Sequence, residues 1–376
     1  MIRAGDFCTA QCPAASTLLN ERIDLSIYLG AWACRVYLCK KVQQLWTIVQ
    51  CVLPGLSYNR GERSGRKCNR LQKQDGKQPV EPRRNGVSQV KLGVSIYSLH
   101  AALQDKRMTV LDVLDWMKAQ GADHAEIVDM DLDLANHPER VDAIREKATE
   151  IGLELSNYCI GANFAGLDDE AFAEEVARAK SHVDVAHRLG VKRMRHDVAW
   201  RSYPETDVSY FEQDFPALVE ACRQIADYAV SFGITTSVEN HGFYIQASER
   251  VKRLVLAVDR ENFRTTMDVG NFTCADENSL NAVRNNIGLA SMVHLKDFYI
   301  RPADRNPGEG WFRSLHGNYL RGAIVGQGDL PMYDIIRAVK ETGYDGYVSI
   351  EFEGMEDCLR GTKIGIENAR RIWSEV

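Results

Sequence analysis

Residues 234–242 read ITTSVENHG, a run of apolar and β-branched residues that stops at a carboxylate, an amide and an imidazole. Such side chains suit a half-buried pleated surface, so the run predicts a strand ending at Glu239, Asn240 and His241 on the edge of a core. Seven other stretches share this character: KLGVSIYSL (91–99), HAEIVDM (124–130), ELSNYCI (154–160), VKRMRHD (191–197), RTTMDVG (264–270), SMVHLKD (291–297) and GYVSIEF (346–352). Between them lie amphipathic stretches with helical spacing, among them TVLDVLDWMKAQGA (109–122), ERVDAIREKATEIGL (139–153) and DEAFAEEVARAKSHVDVAHRLGV (169–191). Gly121, Gly152, Gly190, Gly233 and Gly343 stand where helices must turn into the next strand.

Eight strands alternating with helices over this length predict an α/β fold, a (β/α)8 TIM barrel. A doubly wound open sheet would carry a glycine-rich phosphate turn after its first strand, and YSLHAAL (97–103) contains none.

In such a barrel the chemistry gathers at the C-terminal ends of the strands. Strand five ends in Glu239, strand six in Asp268, strand seven in His294 and strand eight in Glu351. Three carboxylates crowded on one rim repel each other and resist desolvation, and a divalent cation removes that conflict. One nitrogen and three oxygen donors suit one Mn²⁺ foremost, with Mg²⁺, Co²⁺ or Zn²⁺ as alternatives. Each residue taken alone is an ordinary cap or salt-bridge partner; all four at equivalent strand ends point to a metal centre.

SVENHG, TMDVGN, VHLKDF and VSIEFEG, in that order, resemble the sugar isomerase/epimerase barrels related to xylose isomerase, a group that includes ketose 3-epimerases, hydroxypyruvate isomerases and inosose-converting enzymes. The resemblance covers roughly residues 90–376. It implies that Glu239, Asp268, His294 and Glu351 hold the metal, and that Glu239 and Glu351 are the catalytic pair, moving protons on opposite faces of a small carbohydrate. GQGDL (326–330) resembles the turn before the last helix–strand unit. Asn271 stands where ketose 3-epimerases carry a substrate-binding histidine. The implied activity is isomerisation or epimerisation of a sugar, sugar phosphate or polyol ketone through an enediolate, with dehydration of an inosose-like keto-polyol as the alternative. A homodimer or homotetramer is also implied.

Further candidates for substrate contact are His241, Asn271, Lys296, Arg301, Glu126 and His196. Lys296 lies two positions after His294 and shares its side of the strand. Arg301 opens a long segment before strand eight, which also holds Arg313, His316 and Arg321, a pattern expected of a lid. Glu126 and His196 end early strands. Asp129, Asp131 and Asp133 lack the glycine and terminal glutamate of a calcium loop and are expected to be solvated. Trp200 and Trp311 fall in rim loops, where they could stack on a sugar.

The chain has 376 residues and a net charge of −6, unevenly distributed: residues 1–86 carry +8 and residues 87–376 carry −14. An acidic body is a poor partner for a phosphate backbone, which argues against nucleic acid and against the related abasic-site nucleases. Six of the ten cysteines lie in the first 68 residues and none forms a C-x-x-C pair, a usage expected of a cytoplasmic protein. Residues 24–57 are apolar in patches, but Arg35, Lys40 and Lys41 interrupt them, so no membrane span is expected. Residues 58–86 turn basic and polar and read as disordered. The expected organisation is therefore an N-terminal extension (1–86), disordered or not part of the natural protein, whose translation would start near Val87, followed by the catalytic barrel (87–376). A non-catalytic binding protein is the remaining alternative; the intact ligand set argues against it.

Overall fold

The computed structural model describes residues 90–376, Pro204 apart; the expectations for residues 1–86 lie outside the described residues. The strands in chain order are β1 (Lys91–Ser95), β2 (His124–Val128), β3 (Glu154–Ile160), β4 (Arg193–His196), β5 (Thr235–Glu239), β6 (Phe263–Asp268) and β7 (Ala290–Leu295), then β8 (Asp297–Arg301), β9 (Phe312–Arg313), β10 (Tyr319–Ala323) and β11 (Tyr347–Ile350). β1 to β7 and β11 close into a parallel barrel, in which β11 pairs with both β1 and β7. The remaining three form a small antiparallel sheet, ordered β8-β10-β9.

The helices are α1 (His100–Gln104), α2 (Val110–Ala119), α3 (Pro138–Ile151), α4 (Asp169–Leu189), α5 (Val208–Val230), α6 (Ser248–Val258), α7 (Ser279–Asn286), α8 (Met332–Glu341) and α9 (Cys358–Glu375). Their starts follow local chemistry. Thr109 and Asp112 form a reciprocal capping box at α2, and Asp168 accepts from Ala171 N at α4. Gly152 and Gly190 take left-handed φ of 63° and 81° just after α3 and α4, which lets the chain turn back into β3 and β4. No helix among the described residues is long and apolar enough to cross a membrane.

Strand alternation sorts the side chains. Val94, Ile127, Val238, Met267, Val293 and Val348 face outward and join the main hydrophobic core beneath the helices. The inward positions are mostly polar, and many are small: Gly93, Ser95, Ser237, Thr266 and Ser349 leave room for longer charged side chains above them. Ser237 and Thr266 join hydroxyls at 2.8 Å across β5 and β6.

Two strand expectations need correction. Residues 96–99 form a 3₁₀ turn rather than continuing β1. The expected strand 291–297 ends at Leu295, and Asp297 instead opens β8, which carries the start of the long segment into the small sheet. Asp129 is also not solvated, because Tyr158 Oη donates to it at 2.6 Å and His182 lies 3.5 Å away.

Candidate metal centre and active site

Glu239, Asp268, His294 and Glu351 occupy the last inward positions of β5, β6, β7 and the residue following β11. All four are buried, and one donor atom from each lies within 4.8 Å of the others. Their neighbours prepare them individually. Asp268 Oδ1 accepts from the backbone N–H groups of Gly270 and Asn271 at 2.7 and 2.8 Å, which leaves the buried Oδ2 without a hydrogen bond. Asn240, on the outward side of the strand, clips β5 to β6 by donating to Asp268 O and accepting from Asp268 N, at 2.8 and 2.9 Å. His294 Nε2 lies 2.8 Å from Glu126, while Nδ1 faces Glu239 and Glu351 at 3.7 and 3.6 Å with no hydrogen-bond partner.

Charge dominates the interior. Glu239 Oε2 lies 2.9 Å from Arg195 Nε without the alignment of a hydrogen bond. Lys296 Nζ lies 2.8 Å from Glu351, 3.4 Å from Asp268 and 3.1 Å from Glu353. Burial pushes Asp268 up to about 7 despite Lys296, with Glu351 and Glu239 adding to the rise. Glu126 behaves oppositely: burial works against its charge, yet His294 draws it down to about 2. Four buried carboxylates (Glu126, Glu239, Asp268, Glu351) therefore face two permanent buried cations, Arg195 and Lys296, and the imidazole of His294, which Glu126 and Glu351 favour in its protonated form while no metal is bound. A divalent ion balances that set when His294 is a neutral ligand through Nδ1 and donates Nε2–H to Glu126. The unpartnered Asp268 Oδ2 and His294 Nδ1 are where its donors would be, so the residues present fit a metal.

The structure brings together some of the other residues expected at the site. Asn271 Nδ2 donates to Glu239 at 3.2 Å, and its Oδ1 accepts from Lys296 at 3.3 Å, so Asn271 and Lys296 belong to the cluster. His241 sits on the rim, half exposed, 3.7 Å from Asp197; burial opposes its charge, but Asp197 lifts it to about 9. Glu126 is a correction: it is wholly buried, lies 2.8 Å from His294 and accepts from Asn157 at 2.8 Å, so it stands behind the imidazole and not on the open rim. His196 is another. It has outward parity, is fully buried between Phe164 and Phe263, and donates Nδ1–H to Asp197 O at 2.9 Å. Arg301 is exposed and pairs with Asp329 at 2.9 Å, apart from the cluster.

Arg195, Asp197, Glu353 and Tyr97 were not anticipated. Tyr97 follows β1 and is pushed up to about 12 by burial and by Glu353. Arg195 was legible in principle, since it is the last inward residue of β4, one position before the outward His196.

A family model described as a xylose isomerase-like TIM barrel matches residues 114–373. An inosose dehydratase of Bacillus licheniformis is 24% identical over 148 residues, 38% of this chain and 49% of that protein. The chain spans 49% to 66% of the length of the first curated relatives it matches. Among solved structures, the 3-keto-D-glucoside 4-epimerase of E. coli has a TM-score of 0.57 at 17% identity, covering 75% of this chain and 100% of that one. The IOLI protein with a bound zinc atom has a TM-score of 0.60 at 18% identity, covering 76% and 99%. At these identities the structural likeness speaks for the fold. The chain belongs to the xylose isomerase-like TIM barrel family.

Proposed function

We propose that the protein is a divalent-metal-dependent isomerase or epimerase of a sugar, sugar phosphate or related keto-polyol. The observation that carries this reading is the pairing of two buried glutamates with separate cations, Glu239 with Arg195 and Glu351 with Lys296. A carboxylate set beside a fixed cation can accept a proton from carbon. Glu239 and Glu351 stand on strands separated by β7 and β6, so they approach a substrate lying over the cluster from different sides.

A bound divalent ion, Mn²⁺ foremost, would polarise the substrate carbonyl and favour the charge that develops on its oxygen. One glutamate takes the proton from the neighbouring carbon, and the C–H electron pair moves into the carbon–carbon bond of an enediolate. The other glutamate enters the cycle as the carboxylic acid and gives up its proton, and exchange with solvent afterwards restores the starting pair. Delivery to the opposite face of the same carbon yields the epimer, and delivery to the adjacent carbon yields the isomer. Asn271 holds Glu239 and Lys296 in register, and Glu126 holds His294.

A dehydratase is the second reading, favoured by the curated relatives named inosose dehydratase. It shares the first step and then expels a hydroxyl. NMR in D₂O with ketoses, sugar phosphates and inososes plus Mg²⁺ tests both. We expect deuterium at the carbon next to the carbonyl; a full panel with neither exchange nor conversion would overturn the proposal. An epimer or isomer favours the first reading, and an unsaturated or deoxy product favours the second.

A further inference from the structure

The small sheet that follows β7 has two unlike faces. Its register pairs Arg321 with Tyr299 and Tyr319 with Arg301, which puts these four on one face. Phe298 and Leu320 lie on the other, packed with Cys274 and Phe243. On the first face the Arg321 guanidinium lies 4.8 Å from the Tyr299 ring centre and 5.5 Å from that of Trp311. Arg301 lies 5.4 Å from the same indole. The two cations differ in their partners. Arg301 pairs with Asp329, whereas Arg321 forms no ion pair among the described residues. Its Nε is buried without a hydrogen bond, and its one polar contact is Nη1 to Met355 Sδ at 4.0 Å.

Stacked rings cover the faces of a guanidinium, but its N–H donors lie in its plane and point along the edges. A surface arginine ordinarily gives those donors to water or to a carboxylate. Here two rings lie beside the guanidinium and no carboxylate or carbonyl oxygen of the described residues takes its N–H donors, an arrangement suited to a planar or tetrahedral oxyanion. The location also fits. Gly322, next to Arg321, bridges to Gly354, and a Cβ there would lie 2.2 Å from Glu353 O. The Glu353 carboxylate in turn reaches Lys296 in the metal cluster, at 3.1 Å. The stack is therefore built directly onto the strand end that carries Glu351 and Glu353.

We infer that Arg321, beside Tyr299 and Trp311, is a specificity-determining anion subsite that receives a carboxylate or phosphate group at the end of the substrate remote from the reacting carbonyl. This deepens the proposed function and rests on its reading of the substrate as a sugar-like carbonyl compound.

Two measurements test it on the full-length, Mg²⁺-loaded protein and its Arg321→Met and Arg321→Lys variants, with circular dichroism confirming the fold. In the first, inorganic phosphate is titrated calorimetrically. Binding to the unsubstituted protein that is lost in Arg321→Met and partly kept in Arg321→Lys is expected; no binding, or equal binding to all three, overturns the subsite. In the second, deuterium exchange is compared across neutral ketoses, their terminal phosphate esters and the corresponding uronates. Arg321→Met should raise KM for one charged class by about 10- to 100-fold and leave the neutral sugars unchanged. The class affected identifies phosphate or carboxylate as the natural group, and an equal effect on charged and neutral compounds overturns the inference. A panel with no exchange anywhere counts against the proposed reaction, while the phosphate titration still decides the subsite.

Discussion

His294 and Glu126 meet inside the barrel 2.8 Å apart, although 168 residues separate them along the chain. The contact fixes the imidazole so that Nδ1 faces the other three donors. Asn157 at 2.8 Å and Cys159 at 3.1 Å secure the carboxylate from behind. Replacing Glu126 by Gln keeps the shape and removes the charge. Metal affinity should fall about 10- to 100-fold, as for other carboxylates that orient a metal-binding histidine. Competition with a chelating dye measures this, and unchanged affinity would remove Glu126 from the design of the site.

Metal content follows from the charge imbalance. The protein should bind one divalent ion per chain, and chelation should lower its melting temperature because the buried carboxylates then lack compensation. Alanine at Asp268 or His294 should abolish the stoichiometric ion, as read by elemental analysis. Three ions per chain would favour a nuclease-like centre.

Glu239→Gln and Glu351→Gln should each reduce turnover by about 10²- to 10⁴-fold while the circular dichroism spectrum stays intact. Metal analysis on the same samples separates lost proton transfer from lost binding. Near-normal turnover in either variant would exclude that glutamate as an acid/base group.

The pH dependence of stability should have a definite sign. Burial lowers both His124 and His196 to about 4, below the unfolded value of 6.5. Between these limits the unfolded chain takes up protons that the folded chain refuses, so stability falls as pH drops from 6.5 toward 4 and is fully present above 6.5. Each histidine contributes at most about 1.4 kcal/mol per pH unit in that window. Urea midpoints should therefore depend less steeply on pH in His196→Gln; an unchanged slope would mean that His196 titrates normally.

Packing at the lower end of the barrel allows a mutational test away from the active site. A Cβ on Gly93 would lie 2.5 Å from His124 Nδ1, and the His124 ring is held by the carbonyls of Lys91 and Val348 at 3.2 Å each. Gly93→Ala should destabilise the fold by about 1–3 kcal/mol through overpacking. Chemical denaturation of the metal-loaded protein provides the measurement.

The pattern of residues determined a good deal without coordinates. Alternation of β-rich and amphipathic stretches specified eight barrel strands, because each needs one face against helices. Glu239, Asp268, His294 and Glu351 were legible because strand ends are local features. Parity was legible too, and it separates inward Arg195 from outward His196 and Asn240. Other relations arose only when the sheet closed. Glu126 became the partner of His294 because closure leaves only β1 and β11 between β2 and β7 and points both side chains into one narrow interior. Arg195 and Lys296 meet separate glutamates across neighbouring strands, β4 to β5 and β7 to β11, through the inward side that they share. The approach of Arg321 to Tyr299 and Trp311 depends on antiparallel register within a segment that has no helix–strand period to announce it. Local sequence specifies which way a side chain points; the closed barrel decides what it meets.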